Sequence, residues 1–400
     1  MAHLLYLFLG LMLVAVTLPL VLELALVTVA ALLPARKQPD VDLPVGGYPL
    51  AVVIPAHNEE FLISRCINSV RSSVALSAVP ADVRILVVAH NCTDTTALQA
   101  RKAGAEVVIY DDPAAKGKGF ALRNGFEHAL AGRAAAVLVI DADSIVSKNL
   151  VPSVQNLIAN GADAVQCRYE MESPTNKINT RLAALALRGF NVIRPRGRER
   201  LGLSAGIFGN GFALTRNLLR EVPYGAFSVV EDLEYHIALM MTGKRVRFLE
   251  TALVSAALPA SRQGETVQRS RWEGGRFHVA RTWAGPLLKQ LLRGRIRLAE
   301  PLFDVASLPM AYGVFALLVA LCLPVAGIRI YAALSLLVVT VHVLAAAASG
   351  PDFLKTLGLL FMAPIYILWK LRLLPAILRG SKGEAVWIRT NRDSNFRSIS

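Results

Sequence analysis

Residues Val137 to Ile145 read VLVIDADSI, an apolar run of β-formers that stops at two carboxylates one residue apart, Asp141 and Asp143. The run is too short to cross a membrane and suits a buried parallel strand whose carboxyl end opens on a crevice. A pair of carboxylates there can hold a hard divalent cation and leave its remaining positions to phosphate oxygens. The bland alternative is a solvated strand end, so the flanking sequence has to decide.

On the N-terminal side, strands at Leu50–Ile54, Arg84–Ala89 and Glu106–Tyr110 alternate with helices at Asn58–Ser72, after HNCTDTT through Arg101, and at Gly119–Leu130. That alternation predicts an α/β domain with a mostly parallel sheet, which binds ligands beyond the carboxyl ends of its strands. Those ends carry polar residues: PAHNEE, HNCTD and DAD. On the C-terminal side the pattern predicts a helix at Val151–Ala159, an extended Ala164–Tyr169 and a helix at Asn179–Phe190. Leu203–Leu214 is punctuated by glycine, Glu231–Met241 has helical spacing and Val246–Leu249 is extended. Thr266–Leu292 is long, basic and amphipathic, a pattern that suits a membrane surface.

Hydrophobic residues make up 54% of the 400 residues, and the excess gathers at Leu4–Leu33 and Leu302–Leu374. The sequence therefore predicts an integral membrane protein with a globular middle, such as one of a bacterial inner membrane. Its parts are a transmembrane anchor at 1–33, a proline-rich linker at 34–49, a catalytic domain at 50–265, interfacial helices at 266–300, two or three spans within 301–374 and a basic tail at 375–400. The first segment has no basic start and is long enough to span, unlike a cleaved signal peptide. Arg36 and Lys37 follow it, so the positive-inside bias places the middle domain in the cytoplasm. Candidate C-terminal spans are Leu302–Val325, Ile328–Ala348 and Phe353–Trp369; three crossings put the tail outside, whereas its arginines and lysines argue for inside. The first candidate, interrupted by Asp304 and Pro309, is the one suspected of being re-entrant or interfacial.

The net charge of +14 concentrates in Arg181–Arg200 and Arg262–Arg297 and forms no stripe interleaved with aromatics. This points to membrane lipids as partners and away from nucleic acid. The four cysteines form no C-x-x-C and no metal spacing, consistent with a reducing compartment.

Four motifs stand in order: IPAHNEE, DAD at Asp141–Asp143, VED at Val230–Asp232 and QRSRW at Gln268–Trp272. Together they resemble the family 2 glycosyltransferases, in particular the membrane-embedded branch with the cellulose, chitin and hyaluronan synthases and ceramide glucosyltransferase. The resemblance runs from about Leu50 to Arg276, and QRSRW fits the branch's Q-[QR]-x-R-W at every defined position. WIRTNR, Trp387–Arg392, is similar to a short tail motif of the same branch.

The resemblance implies the GT-A fold and inverting transfer of a sugar from a nucleotide-sugar donor, with UDP as the expected carrier, to a lipid, lipid-linked or saccharide acceptor. It implies Asp232 as catalytic base beside Glu231, and Asp143 with Asp141 as ligands of Mg²⁺ or Mn²⁺. Donor-binding roles fall on Pro55, Glu59, His90, Asp94, Lys118 and Asp141. Acceptor and diphosphate roles fall on Gly209, Gln268, Arg269, Arg271 and Trp272. Bland readings stand beside these: Glu59 and Glu231-Asp232 as charges at helix N-termini, Asp94 as a helix cap, Lys118 in a solvated glycine loop, and Trp272 at headgroup level. The chain departs from the family after the second strand, where His90 stands in place of a nucleobase-reading aspartate. That leaves the base open.

A phosphatase of the haloacid dehalogenase type also begins on hhhhDxD, but puts it on its first strand and follows it with Thr or Val, whereas Ser144 follows here. A processive polysaccharide synthase needs more spans than this chain offers, so single-sugar transfer is the expectation. A catalytically silent scaffold would retain the fold but not need the carboxylates.

Overall fold

The computed structural model describes residues 1–34, 48–78, 80–173, 177–259 and 262–380. WIRTNR and the rest of the basic tail beyond 380 lie outside them. An apolar helix, α1 (Ala2–Leu32), comes first. The alternating series follows: β1 (Leu50–Ala56), α2 (Ile63–Val74), β2 (Val83–His90), α3 (Thr96–Lys102), β3 (Glu106–Tyr110), α4 (Lys118–Ala131) and β4 (Ala136–Val139). Next come β5 (Ile145–Val146), α5 (Leu150–Ala159), β6 (Ala164–Glu172), α6 (Ile178–Arg188), α7 (Arg194–Leu201), β7 (Phe212–Thr215), α8 (Arg216–Glu221), α9 (Glu231–Met241) and β8 (Val246–Ala257). Helices α10 (Arg262–Leu292), α11 (Ala299–Ala306), α12 (Met310–Cys322), α13 (Ala326–Ala348), α14 (Phe353–Leu360) and α15 (Ala363–Gly380) complete it.

By packing, the chain divides into a globular unit, drawn from Arg36–Pro174 and Ser204–Glu265, and a helical unit, drawn from Met1–Ala35, Thr175–Leu203 and Thr266–Glu384. Residues 175–203, in the middle of the catalytic stretch, thus belong to the helical unit.

The globular unit is built on an eight-stranded sheet in the order β3-β2-β1-β4-β7-β6-β8-β5. Strands β3, β2, β1 and β4 are parallel, β7 runs against β4 and β6, and β8 is parallel to β6. Central β1 is apolar and buried almost throughout because it is flanked on both edges and covered on its faces. One face packs against Ala121, Leu122, Phe126 and Ala129 of α4 and Tyr235 and Leu239 of α9. The expected strands are thus present, several a residue or two longer, and β6 and β8 extend well beyond the forecast.

Two expectations need correction. The helix forecast from Asn58 begins only at Ile63, with no acidic residue in its first turn. Residues 58–62 are instead a turn: Asn58 has positive φ, Glu59 N donates to Thr96 Oγ1 at 2.7 Å and Glu60 Oε2 accepts from Thr95 Oγ1 at 2.6 Å. Cross-loop bonds outcompete the acidic pair's helix preference. Likewise the helix expected to stop near Phe190 continues through a π-helical turn, Gly189–Ile193, into α7. Pro195 sits in the first turn of α7, where a missing N–H costs least.

In the helical unit, α1 and α13 are each long and apolar enough to cross a membrane. Two further apolar pairs are bent: residues 296–306 against 310–322 by 81°, and 353–360 against 363–372 by 60°. The break at Ser307–Pro309 therefore falls in the candidate suspected from sequence. Thr17 Oγ1 meets Tyr331 OH at 3.0 Å and Thr28 Oγ1 meets His342 Nδ1 at 2.8 Å; the separation in sequence is 314 in both, so α1 and α13 run in the same direction. Helix α12 runs the opposite way, with Gly313 beside Leu20 and Leu323 beside Leu13 and Val14. An ionic cluster joins α1, α7 and α11: Arg194 Nε and Arg198 Nη2 donate to Glu23 Oε1 at 3.1 and 2.5 Å, and Arg194 Nη2 and Arg198 Nη1 donate to the Asp304 oxygens at 2.6 and 2.9 Å. All four side chains are buried, so losing one partner would cost about 3–5 kcal/mol.

Candidate active site

Parallel β1 and β4 end side by side, and the chain leaving β4 carries Asp141 and Asp143 across that edge. The turn is held from the side: Asn210 Oδ1 accepts from Asp141 N at 3.0 Å, Asn210 Nδ2 donates to Ser144 Oγ at 2.8 Å, and Ser144 Oγ donates to Asp143 Oδ1 at 3.2 Å. Buried Gln166 on β6 anchors the glycine loop in turn, donating to Asn210 O at 2.8 Å and accepting from Phe208 N at 3.0 Å. Backbone groups of that loop find partners inside the fold, which rigidifies it.

Lys118 is the first residue of α4, and its Nζ rests on Asp141 Oδ1 and on the Gly209 carbonyl. Gly209 has φ +76°, and a Cβ there would stand 3.3 Å from Asp232 Oδ2. Asp232 and Glu231 open α9, with Asp232 Oδ1 accepting from Leu233 N at 2.8 Å. Burial pushes the Glu231 carboxyl up to about 7 against the pull of Lys118, and burial also raises Asp232. Lys118 remains charged: burial opposes it, but Asp141, Glu231 and Asp232 raise it further. Lys118, Asp141, Gly209, Glu231 and Asp232, from four separate stretches of the sequence, therefore meet.

Two tyrosines that the motifs did not flag join them. Tyr169 on β6 is buried, bonds Asn210 and feels Asp141 and Asp232; burial first, then those charges, raise its phenol. Tyr224 lies against Phe126 edge-on at 5.2 Å and against Tyr235 at 4.8 Å. Its hydroxyl is buried and has no hydrogen-bond partner among the described residues, with Glu231 and Asp232 in electrostatic reach. A lone aromatic in a loop just ahead of ED was the available signal, and it is a weak one.

The residues proposed for the nucleotide lie at the ends of β1 and β2. Pro55 is in β1, half-buried, and Glu59 follows in the turn. His90 is only 5% exposed, stacks on Tyr110 at 5.0 Å, meets Asn91 Nδ2 with its Nε2 at 3.1 Å and interacts with the Ala115 backbone. Burial lowers its pKa, which keeps the ring neutral. Asp94 accepts from Thr96 N at 2.9 Å and from Glu60 N at 3.2 Å. Its carboxylate ties two loops together.

Among the described residues no group of three His, Cys, Asp or Glu side chains forms a ready-made metal cage. Two carboxylates at a strand end still fit Mg²⁺ or Mn²⁺, which completes its shell with water and phosphate oxygens. Gln268, Arg269, Arg271 and Trp272 lie on α10 of the helical unit, Gln268 buried and the others half-buried.

The family model described as "Glycosyltransferase like family 2" matches residues 48–275. The probable glycosyltransferase YdaM of Bacillus subtilis is 26% identical over 275 residues, covering 66% of this chain and 63% of that protein. An uncharacterized glycosyltransferase of Mycobacterium tuberculosis, Rv0539, is 36% identical over 124 residues, 31% of this chain and 50% of the relative. The chain thus spans less than two thirds of either curated relative. Among solved structures, the mannosyltransferase PcManGT of Pyrobaculum calidifontis, in complex with GDP-Man and Mn²⁺, superposes with a TM-score of 0.57 at 18% identity, over 95% of this chain and 98% of that one. This likeness bears out the GT-A fold.

Proposed function

Because the chain belongs to glycosyltransferase family 2, whose model covers residues 48–275 of it, we propose that it moves a sugar from a nucleoside diphosphate donor to a hydroxyl of a lipid or lipid-linked acceptor. The transfer takes place at the cytoplasmic face of a membrane, with inversion at the anomeric carbon. The observation that carries this reading is the meeting of Lys118, Asp141, Gly209 and Asp232 at one strand edge.

Asp232 takes the acceptor hydroxyl's proton as that oxygen attacks the anomeric carbon, and its raised pKa makes it a stronger base than an ordinary aspartate. The bond from the anomeric carbon to the diphosphate breaks, and the electron pair leaves with the diphosphate. Lys118, at the amino end of α4, meets that growing negative charge. Asp141 and Asp143 would hold Mg²⁺ or Mn²⁺, which would supply charge neutralisation for the same leaving group. Glu231 stands beside the base and shares its buried charge. Pro55 and Glu59 line the donor, whereas His90 and Asp94 serve it by fixing the loops around it. Uridine is the base expected from the family resemblance. For the α10 motif we assign Arg269 and Arg271 to phosphate oxygens, Trp272 to a sugar face and Gln268 to support from within.

A lipid acceptor is favoured by a helical unit that has, among the described residues, two full-length apolar helices, or up to four counting bent pairs, which is lean for a polysaccharide channel. The test is nucleotide release by the detergent-purified full chain over a panel of nucleotide sugars with membrane lipid extract, comparing wild type with Asp232→Asn. Release with one donor, cut at least a hundredfold in the variant, is the expected result. Equal product from Asp232→Asn would remove Asp232 as the base, no release with any donor would leave a scaffold, and a ladder of oligomers would move the assignment to a processive synthase.

A further inference from the structure

Arg269, the second residue of QRSRW, is caged by the C-terminal helix α15. Its Nη1 donates to the Tyr366 hydroxyl at 2.5 Å, and its guanidinium carbon lies 5.4 Å from the Tyr366 ring centroid and 5.3 Å from that of Trp369. Tyr366 is 7% exposed. One turn further along both helices, Glu273 takes Lys370 Nζ at 2.6 Å and the Tyr312 hydroxyl at 3.1 Å. The two rungs, 269 with 366 and 273 with 370, advance together, so α10 and α15 lie side by side in the same direction.

The second rung is an ion pair that suffices to dock the helices. The first differs in kind. An arginine side chain carries rotamer entropy that a ligand must freeze unless the protein has already done so. Two ring faces and one hydroxyl fix the plane of the guanidinium.

We propose that Tyr366 and Trp369 are positioning residues that hold the Arg269 guanidinium in one orientation for a phosphate-bearing ligand. This makes α15 part of the binding machinery as well as of the membrane unit. The inference rests on the phosphate-binding role assigned to Arg269 above.

The test compares wild type, Tyr366→Phe, Trp369→Leu, Arg269→Lys and Lys370→Met as detergent-purified full chains. Phenylglyoxal labelling of Arg269, read by peptide mass spectrometry, needs no turnover. It should be slowed by inorganic pyrophosphate in the wild type and at least threefold less protected in Tyr366→Phe and Trp369→Leu. In nucleotide release, Tyr366→Phe should raise KM for the nucleotide sugar three- to tenfold with kcat within twofold, and should add nothing to Arg269→Lys. Lys370→Met should lower the melting temperature and leave KM in place. Equal pyrophosphate protection in wild type and Tyr366→Phe, additivity with Arg269→Lys, or the same KM rise from Lys370→Met would each overturn the proposal. A wild type that turns over no donor would sink the catalytic reading alone, and the pyrophosphate protection would then decide the cage.

Discussion

The ammonium of Lys118 sits on the Asp141 carboxylate, where the first aspartate of the D-x-D pair would otherwise face a cation. With the proposed metal role of Asp141, lysine and metal would compete for one carboxylate in the nucleotide-free protein, and a bound diphosphate would relieve the competition by giving the lysine another partner. Lys118→Met should therefore tighten Mn²⁺ binding without nucleotide, read from free Mn²⁺ by electron paramagnetic resonance. It should weaken the nucleotide sugar about tenfold or more, roughly 1.4 kcal/mol per decade. If both affinities fall together, the lysine is not the competitor.

Glu231 leads to a pH prediction whose sign can be worked out. Its folded pKa, about 7, lies above its ordinary value of 4.5 because burial disfavours the charged form. The folded state therefore holds that proton more tightly than the unfolded chain does. This contribution to stability is complete below about 4.5 and is lost as pH rises through about 7. Glu231→Gln removes the ionisation, so its melting temperature relative to wild type should be higher at pH 8 than at pH 5, measured by scanning fluorimetry on the metal-free protein. A difference that does not change with pH would contradict the assignment. Asp232 is raised as well, so the acid limb of kcat/KM should lie above the ordinary aspartate range near 4.

Gly119 carries a packing prediction. A Cβ there would stand 2.2 Å from the Ala226 carbonyl oxygen and 3.1 Å from Phe227 Cα, both backbone atoms of the loop that brings Tyr224 to Glu231. Gly119→Ala must push that loop away, at a cost of about 1–3 kcal/mol. Thermal unfolding should drop by several degrees, and nucleotide release should fall with it. An unchanged melting temperature would mean that the loop yields freely.

How far the sequence reached is visible in these same residues. Asp141, Asp143, Glu231 and Asp232 were legible because apolar runs or helical spacing end abruptly on carboxylates, and such breaks are local signals. The contact of Lys118 with Asp141 and Gly209 was not legible, since it joins three motifs through the strand order. Nor was the outcome at His90: its burial and its bonds to Asn91 and Ala115 depend on where β3 places the following loop. The turn at 58–62 was misread as helix because Thr95, Thr96 and Asp94, which take its polar groups, come from a different βα unit. Helix direction in the apolar unit was equally hidden, since hydropathy reports length and not partners.

That direction carries a prediction for the side of the tail. Helices α1 and α13 run together, and their last turns meet where Ala31 packs with Ala346 and Ala347. The chain beyond α13 therefore emerges at the same end as the chain beyond α1, where Arg36 and Lys37 favour the cytoplasm. Helices α14 and α15 stay at that end, with Leu359 and Tyr366 packed on Leu182 of α6 and Lys370 meeting Tyr312 in the first turn of α12. With the proposed cytoplasmic catalytic domain, this arrangement predicts a basic tail on the inside, which would remove the conflict between three full crossings and its positive charge. A green fluorescent protein fused after Ser400 should fluoresce in cells, and alkaline phosphatase fused there should be inactive. The reverse pair of results would require the 353–372 pair to cross the membrane, and would break the shared end inferred from α1 and α13.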